Sequence, residues 1–161
     1  MKRNLLIFLL PIVIAFLTIA NVGASSRETY LPDEVQEICV KYGEEYCICP
    51  ELLMAIVETE SSGKQYAEND GCKGLAQIYE KFHKDRMKNI GVTDIYDMDG
   101  DIHVAADYLA ELFEKYEDAG MTLMVYHGER NAISKAERGE ISSYANKILE
   151  RSAELERLHG K

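Results

Sequence analysis

Apolar residues recur at helical spacing through most of the chain beyond residue 33. In the stretch that begins at Pro50, Leu52, Leu53, Ile56 and Val57 share one face. Pro50 suits the first helical position, where its fixed φ fits and its missing N–H is not needed. Continuing that face by four from Ile56 reaches Glu60, a carboxylate where the pattern asks for an apolar residue, before Ser62-Gly63 breaks the helix. Glu58 lies roughly 200° around the helix from Glu60 and is expected to face water. The broadest stripe, Ile102, Ala105, Ala106, Leu109, Leu112 and Phe113, predicts a helix over 102–116, capped by Asp99 or Asp101, whose small residues allow a close crossing.

Weaker patterns complete the chain. Asp33 caps a predicted helix over 34–42 with Val35, Ile38 and Cys39 inward, ended by Gly43. After a loop at Asn69-Asp70-Gly71-Cys72, a helix is predicted over 75–89 with Ile78, Phe82 and Met87 inward, stopped by Gly91. Ile95 and Tyr96 anchor the next connector. A nearly all-apolar helix follows over 121–127, a small one over 131–138, and a last one from Ser142 or Ser143 to Leu158 with Ala145, Ile148, Leu149 and Leu155 inward. No stretch alternates as a convincing strand, and there is no internal repeat. Residues 33–161 therefore read as one mostly α domain with a sizeable core.

The first 24 residues read differently. Lys2-Arg3 precede a nearly wholly apolar run over 5–20, and Val22-Gly23-Ala24 offers small residues ahead of Ser25. This is the pattern of an export signal cleaved before Ser25, with an uncleaved membrane anchor through residues 5–20 as the alternative. Either places the domain outside the cytoplasm, joined through a polar linker over 25–32.

Charge narrows the partners. The net charge is -10, and beyond residue 24 the chain keeps 16 basic and 28 acidic residues, 16 - 28 = -12. Such a surface disfavours nucleic acid, which needs Lys and Arg to displace counterions, and adhesion to anionic surfaces by charge alone. A substrate would be held by a groove and hydrogen bonds.

Cys39, Cys47, Cys49 and Cys72 all fall in the exported part, where disulfides are permitted. Three pairings exist. Cys49 with Cys72 is expected to tie the loop to the Glu60 helix, and Cys39 with Cys47 to close the first turn. C-x-C without a His at matching spacing is a weak metal pattern, and neither metal nor cofactor is implied.

Glu60 is the candidate for chemistry. A carboxylate at the rim of an apolar face is partly desolvated, which raises its pKa and lets it keep a proton near neutral pH. A carboxylic acid in that state can act as a general acid.

Four further motifs stand in order around it: Glu60-Ser61, Gly71-x-x-Gly74-Leu75-Ala76-Gln77-Ile78, Asp101-Ile102 through Ala106-x-Tyr108-Leu109, and Met124-Val125-Tyr126. With Tyr144-Ala145-x-Lys147-Ile148-Leu149 near the end, they resemble the soluble lytic transglycosylase domain of the goose-type lysozyme superfamily, over about residues 35–149. The resemblance implies a lysozyme-like helical domain with a groove for peptidoglycan glycan strands. It implies cleavage of the β-1,4 bond between N-acetylmuramic acid and N-acetylglucosamine, with Glu60 as acid and then base, closing a 1,6-anhydro ring. The alternatives are a lysozyme-type muramidase hydrolase, for which Asp70 is the second carboxylate to test among Glu58, Asp70, Asp85, Asp99 and Asp101, and a non-catalytic cell-wall glycan-binding protein of the same fold. The resemblance further implies that Gln77 and His127 contact substrate, that Ser61 hydrogen-bonds substrate or holds the loop, that Gly74 lets backbone approach the glycan, and that Tyr126 orients Glu60 through its hydroxyl. The partners that the resemblance implies for so small an enzyme are secretion, conjugation or remodelling machines. Two positions depart from the family: Ala76 stands where Met is usual, and His127-Gly128-Glu129 replaces Asn-Ala-Gly, so His127 must do the work of the Asn.

Overall fold

A computed structural model describes residues 29–161. The expected export signal and most of the linker lie outside the described residues. The order is α1 (Asp33–Tyr46), α2 (Pro50–Glu60), β1 (Glu68–Asn69), β2 (Cys72–Lys73), α3 (Glu80–Asn89), α4 (Met98–Tyr116), α5 (Ala119–Tyr126), α6 (Ala132–Glu137) and α7 (Ser143–Leu158). The fold is mostly helical. Helix α2 lies at its centre, between α1 and α7, while α4 packs on α1 and α5. Among the described residues no helix is long and apolar enough to cross a membrane.

The burial of α2 is unusual because it is nearly complete. Every residue from Glu51 to Glu58 is buried. This corrects the expectation for Glu58, which does not face water. Arg151 of α7 grips it through Nε and Nη2 at 2.6 and 3.0 Å, and Thr29 Oγ1 donates to it at 2.7 Å. A two-sided helix offers no solvent face, so a carboxylate on its far side must be matched by a partner. Helix α7 supplies one from a single stripe: Tyr144, Ile148, Arg151 and Leu155 recur at helical spacing.

Gly43 does not end α1 as expected. It is buried inside the helix, and a Cβ there would lie 2.8 Å from both Ile48 O and Pro50 Cγ. The missing side chain admits the turn into α2, and α1 ends instead at Cys47, in the left-handed region at φ 55°.

The predicted helix over 75–89 begins only at Glu80. Gly74 and Gln77 have φ of 81° and 53°, which a right-handed helix cannot accept. In its place Lys73 and Ile78 exchange backbone hydrogen bonds at 2.9 and 3.0 Å. The preceding strands pair antiparallel, Glu68 with Lys73 and Asn69 with Cys72, a short hairpin that alternation did not reveal. Asp70 and Gly71 at its tip both have positive φ, as a type I′ turn requires. Ile78 and Met87 are buried as expected, but Phe82 is 78% exposed. At the start of α4, Asp97 rather than Asp99 or Asp101 is the cap, accepting from Gly100 N at 2.9 Å.

All four cysteines are free, which corrects both expected disulfides. Cys39 is wholly buried in the core while Cys47 is exposed at the end of α1, so the two thiols face opposite environments. The Cys49 thiol donates to Glu51 Oε2 at 3.1 Å.

The Glu58–Arg151 pair yields a stability prediction. Arg151→Ala leaves a carboxylate buried without its cation and should cost about 3 kcal/mol in urea unfolding. Replacing both residues by Leu should recover most of that loss.

Candidate active site

Glu60 closes α2, half-buried, where the helix meets the start of α7. The Tyr144 hydroxyl donates to Glu60 Oε1 in a short hydrogen bond. The His127 ring stacks on Tyr144 with centroids 3.8 Å apart and planes at 14°. Burial raises the Glu60 pKa above the ordinary carboxylate range, against the opposing pull of the Tyr144 bond and the charges of His127 and Lys147. Burial also raises the Tyr144 pKa, as do the Glu60 charge and bond, so the phenol keeps its proton and remains a donor.

A cleft of about 640 Å³ runs away from this corner. Cys72, Gln77 and His127 line it together with Tyr79, Phe82, Arg86, Tyr108 and Tyr126. Glu60 is not part of that lining. It adjoins the His127–Tyr144 stack, and lies close enough to Cys72 that its charge, after burial, helps raise that thiol's pKa. The cleft's outer wall is aromatic: Tyr79 and Phe82 stack at 4.8 Å and 25°. The far end is fixed by Arg86, which bonds Asp107 and Glu111 and sits 5.1 Å from the Tyr108 ring centre.

The residues singled out in the sequence separate into three groups. Gln77 and His127 line the cleft. Gly74 is buried behind it, with φ 81°. Ser61 is buried too, and its hydroxyl donates to Val57 O and accepts from Gly63 N, both at 3.2 Å, so it closes the helix end. Tyr126 corrects an expectation. Its ring lines the cleft, but its hydroxyl donates to Ala76 O at 2.8 Å and does not touch Glu60. The tyrosine on Glu60 is Tyr144. Its place in the motif of the closing helix was visible, but nothing in the sequence distinguished its hydroxyl from that of Tyr126.

The other carboxylates considered are committed elsewhere or stand in solvent. Glu58 is held by Arg151, Asp99 by Lys41 and the Tyr42 hydroxyl, and Asp101 by the Ala76 amide. Asp70 is exposed at the hairpin tip, and exposed Asp85 borders the cleft near α3. Among the described residues none hydrogen-bonds Glu60.

Residues 37–149 match the family model described as the transglycosylase SLT domain. The chain belongs to this family. A transglycosylase of Enterobacteria phage PRD1 is 31% identical over 106 residues, 65% of this chain and 38% of the phage protein. An X-ray structure of an inactive mutant of the lytic transglycosylase Slt from Pseudomonas aeruginosa superposes with a TM-score of 0.64 at 12% identity, over 78% of this chain and 24% of that one. The chain thus spans well under half of either protein, and the second likeness speaks to the fold. The SLT family match covers Glu60, the cleft residues and Tyr144 together.

Two outcomes follow for the SLT site. The Tyr144 bond favours the charged form of Glu60, so Tyr144→Phe should raise the Glu60 pKa further, measurable by carbon-13 NMR titration of its carboxyl. Because the folded pKa lies above the unfolded one, the proton-linked stability is complete below the unfolded value and is lost as pH rises through the folded value. Glu60→Gln should therefore gain stability over wild type across that rise, in thermal melts, and lose the advantage in acid.

Proposed function

We propose that this chain is a peptidoglycan lytic transglycosylase in which Glu60 is both general acid and general base. The observation that carries the reading is the state of Glu60: a desolvated carboxyl with raised pKa, held by a neutral phenol beside an aromatic cleft. An acid of that kind can hold a proton near neutral pH and give it to a glycosidic oxygen. Most glycoside hydrolases pair two carboxylates, the second activating water or attacking the sugar. A single carboxyl suffices when the substrate supplies the nucleophile.

The steps balance as follows. Glu60 donates its proton to the oxygen leaving C1 of N-acetylmuramic acid, and the C1–O4 bond breaks. The carboxylate then accepts the proton of the muramyl 6-hydroxyl as that oxygen bonds to C1. The 1,6-anhydro ring forms, and Glu60 regains its proton for the next cycle. Gln77 and His127 would contact the sugars, with His127 donating a hydrogen bond where the family has Asn. Ser61 would hold the end of α2 so that Glu60 faces the sugar, and Gly74 would keep the Gln77 loop close to the core. In this reading residues 5–20 carry the domain to the cell envelope, as a cleaved signal or as an anchor. Secretion or conjugation machinery that must pass the wall is the class of partner such an enzyme serves.

Mass spectrometry of sugar products from purified peptidoglycan tests the reading. Wild-type products should end in anhydromuramic acid, lighter by one water than hydrolysis products. Glu60→Gln should lower their rate by about 10³-fold or more. Reducing-end products would overturn the single-carboxyl mechanism in favour of hydrolysis, with Asp70 the first residue to replace.

A further inference from the structure

Asp101 has no role in the proposed proton transfers, yet it is the most deeply buried acid in the described structure. It is wholly inaccessible on the first turn of α4. Its Oδ1 accepts from the Ala76 amide at 2.7 Å, across 25 residues of chain. On the other side of the same residue, the Tyr126 hydroxyl donates to Ala76 O at 2.8 Å. Both polar groups of one residue are thus taken by side chains from two different helices. Gln77 follows directly, in the left-handed region at φ 53°, a conformation costly for a residue with a Cβ.

Gly74 shows how tightly this corner is built. A Cβ on it would fall 2.2 Å from Asp101 Oδ2 and 2.9 Å from Ile95 O. Only glycine lets the carboxyl approach the loop from beneath. From there Gln77 turns its amide inward, Nε2 donating to Gly74 O at 2.9 Å and Ala67 O at 3.2 Å, while its side chain lines the cleft.

We propose that Asp101 and Tyr126 form a clamp on the Ala76 residue that sets where Gln77 stands in the cleft, making Asp101 a positioning residue for sugar binding. The sugar-binding part rests on the reading of the cleft as a glycan site. The clamp itself does not.

The acid form fits the clamp. Burial raises the Asp101 pKa well above its ordinary value, outweighing the Ala76 and Leu75 amides that favour the charge. Its Oδ2 carries no hydrogen bond among the described residues. The titratable groups that feel its charge are Cys39 on α1 and Tyr126 on α5, both kept neutral by burial. Asparagine is the uncharged isostere of the acid and can accept from the Ala76 amide through its own Oδ1. Asp101→Asn therefore preserves the clamp. It also removes the loss of stability that wild type suffers as pH rises from the unfolded value through the raised folded one.

The test combines amide exchange with binding of a β-1,4-linked N-acetylglucosamine tetramer, measured by calorimetry in the Glu60→Gln background. Asp101→Ala should expose the Ala76 amide to fast exchange and weaken tetramer binding about tenfold, as Gln77→Ala does. Joined to Gln77→Ala it should weaken binding no further, which a general loss of stability would not reproduce. Asp101→Asn should keep both protection and affinity. Should Asp101→Ala fail to fold, Tyr126→Phe removes only the bond to Ala76 O, and its loss should likewise vanish in the Gln77→Ala background. Wild-type protection and affinity in Asp101→Ala or Tyr126→Phe, or losses that add to that of Gln77→Ala, would overturn the clamp. A tetramer that fails to bind the parent chain would sink the glycan reading, and Ala76 exchange would still decide on the clamp.

Discussion

Desolvation of helix α2 is the constraint on which the rest depends. The helix carries three carboxylates, Glu51, Glu58 and Glu60, and has no solvent face on which to leave them. Each must find a partner, and the three solutions differ in charge. Burial pushes Glu51 up, but bonds from Lys161, His159 and Cys49 outweigh it and bring the pKa down to about 2. Glu58 takes the Arg151 guanidinium on both its oxygens. Glu60 receives only a phenol, and burial wins. Three identical side chains on one helix thus meet three different partners, a Lys161–His159 pair, a guanidinium and a phenol.

The partners come from one helix and its end. Tyr144 and Arg151 stand two turns apart on the stripe of α7 that meets α2, and His159 caps its C-terminus. Ser142 fixes where that stripe begins by accepting from the Ala145 amide at 3.2 Å. The register of α7 therefore decides which carboxylate of α2 meets a cation. Arg151 opposite Glu60 would hold that group ionised and unable to give a proton.

Much of this was legible in the sequence, for reasons that also explain what was not. The long helices show because burial on one face writes a 3.6-residue period, and the intrusion of Glu60 into such a stripe was visible for the same reason. Glu58 was misplaced because the rule assumes one solvent face, and α2 has none. The helix expected over 75–89 failed in its first five residues because Gly74 and Gln77 are left-handed there. A cause lies in tertiary contacts from Asp101 and Tyr126, which no local pattern contains. Phe82 was set inward by its spacing in that same helix, and it emerges on the cleft wall from the first turn of α3. Tyr126 and Tyr144 both sit in family-like motifs, and only the packing of α5 and α7 tells which hydroxyl meets the acid.

The neutral partner on Glu60 also bears on the two-step chemistry proposed for it. A group that is acid first and base second must be comfortable in both states, and a fixed cation would favour only the second. A purely apolar pocket would favour only the first. A phenol whose own pKa is raised by burial keeps its proton through both steps. It can donate to a carboxylate oxygen, or to the carbonyl oxygen of the protonated acid, without moving. His127 is stacked flat on that phenol and lines the cleft. In the proposed reading His127 is the group that would face the sugar where the family has Asn, beside the Glu60–Tyr144 pair.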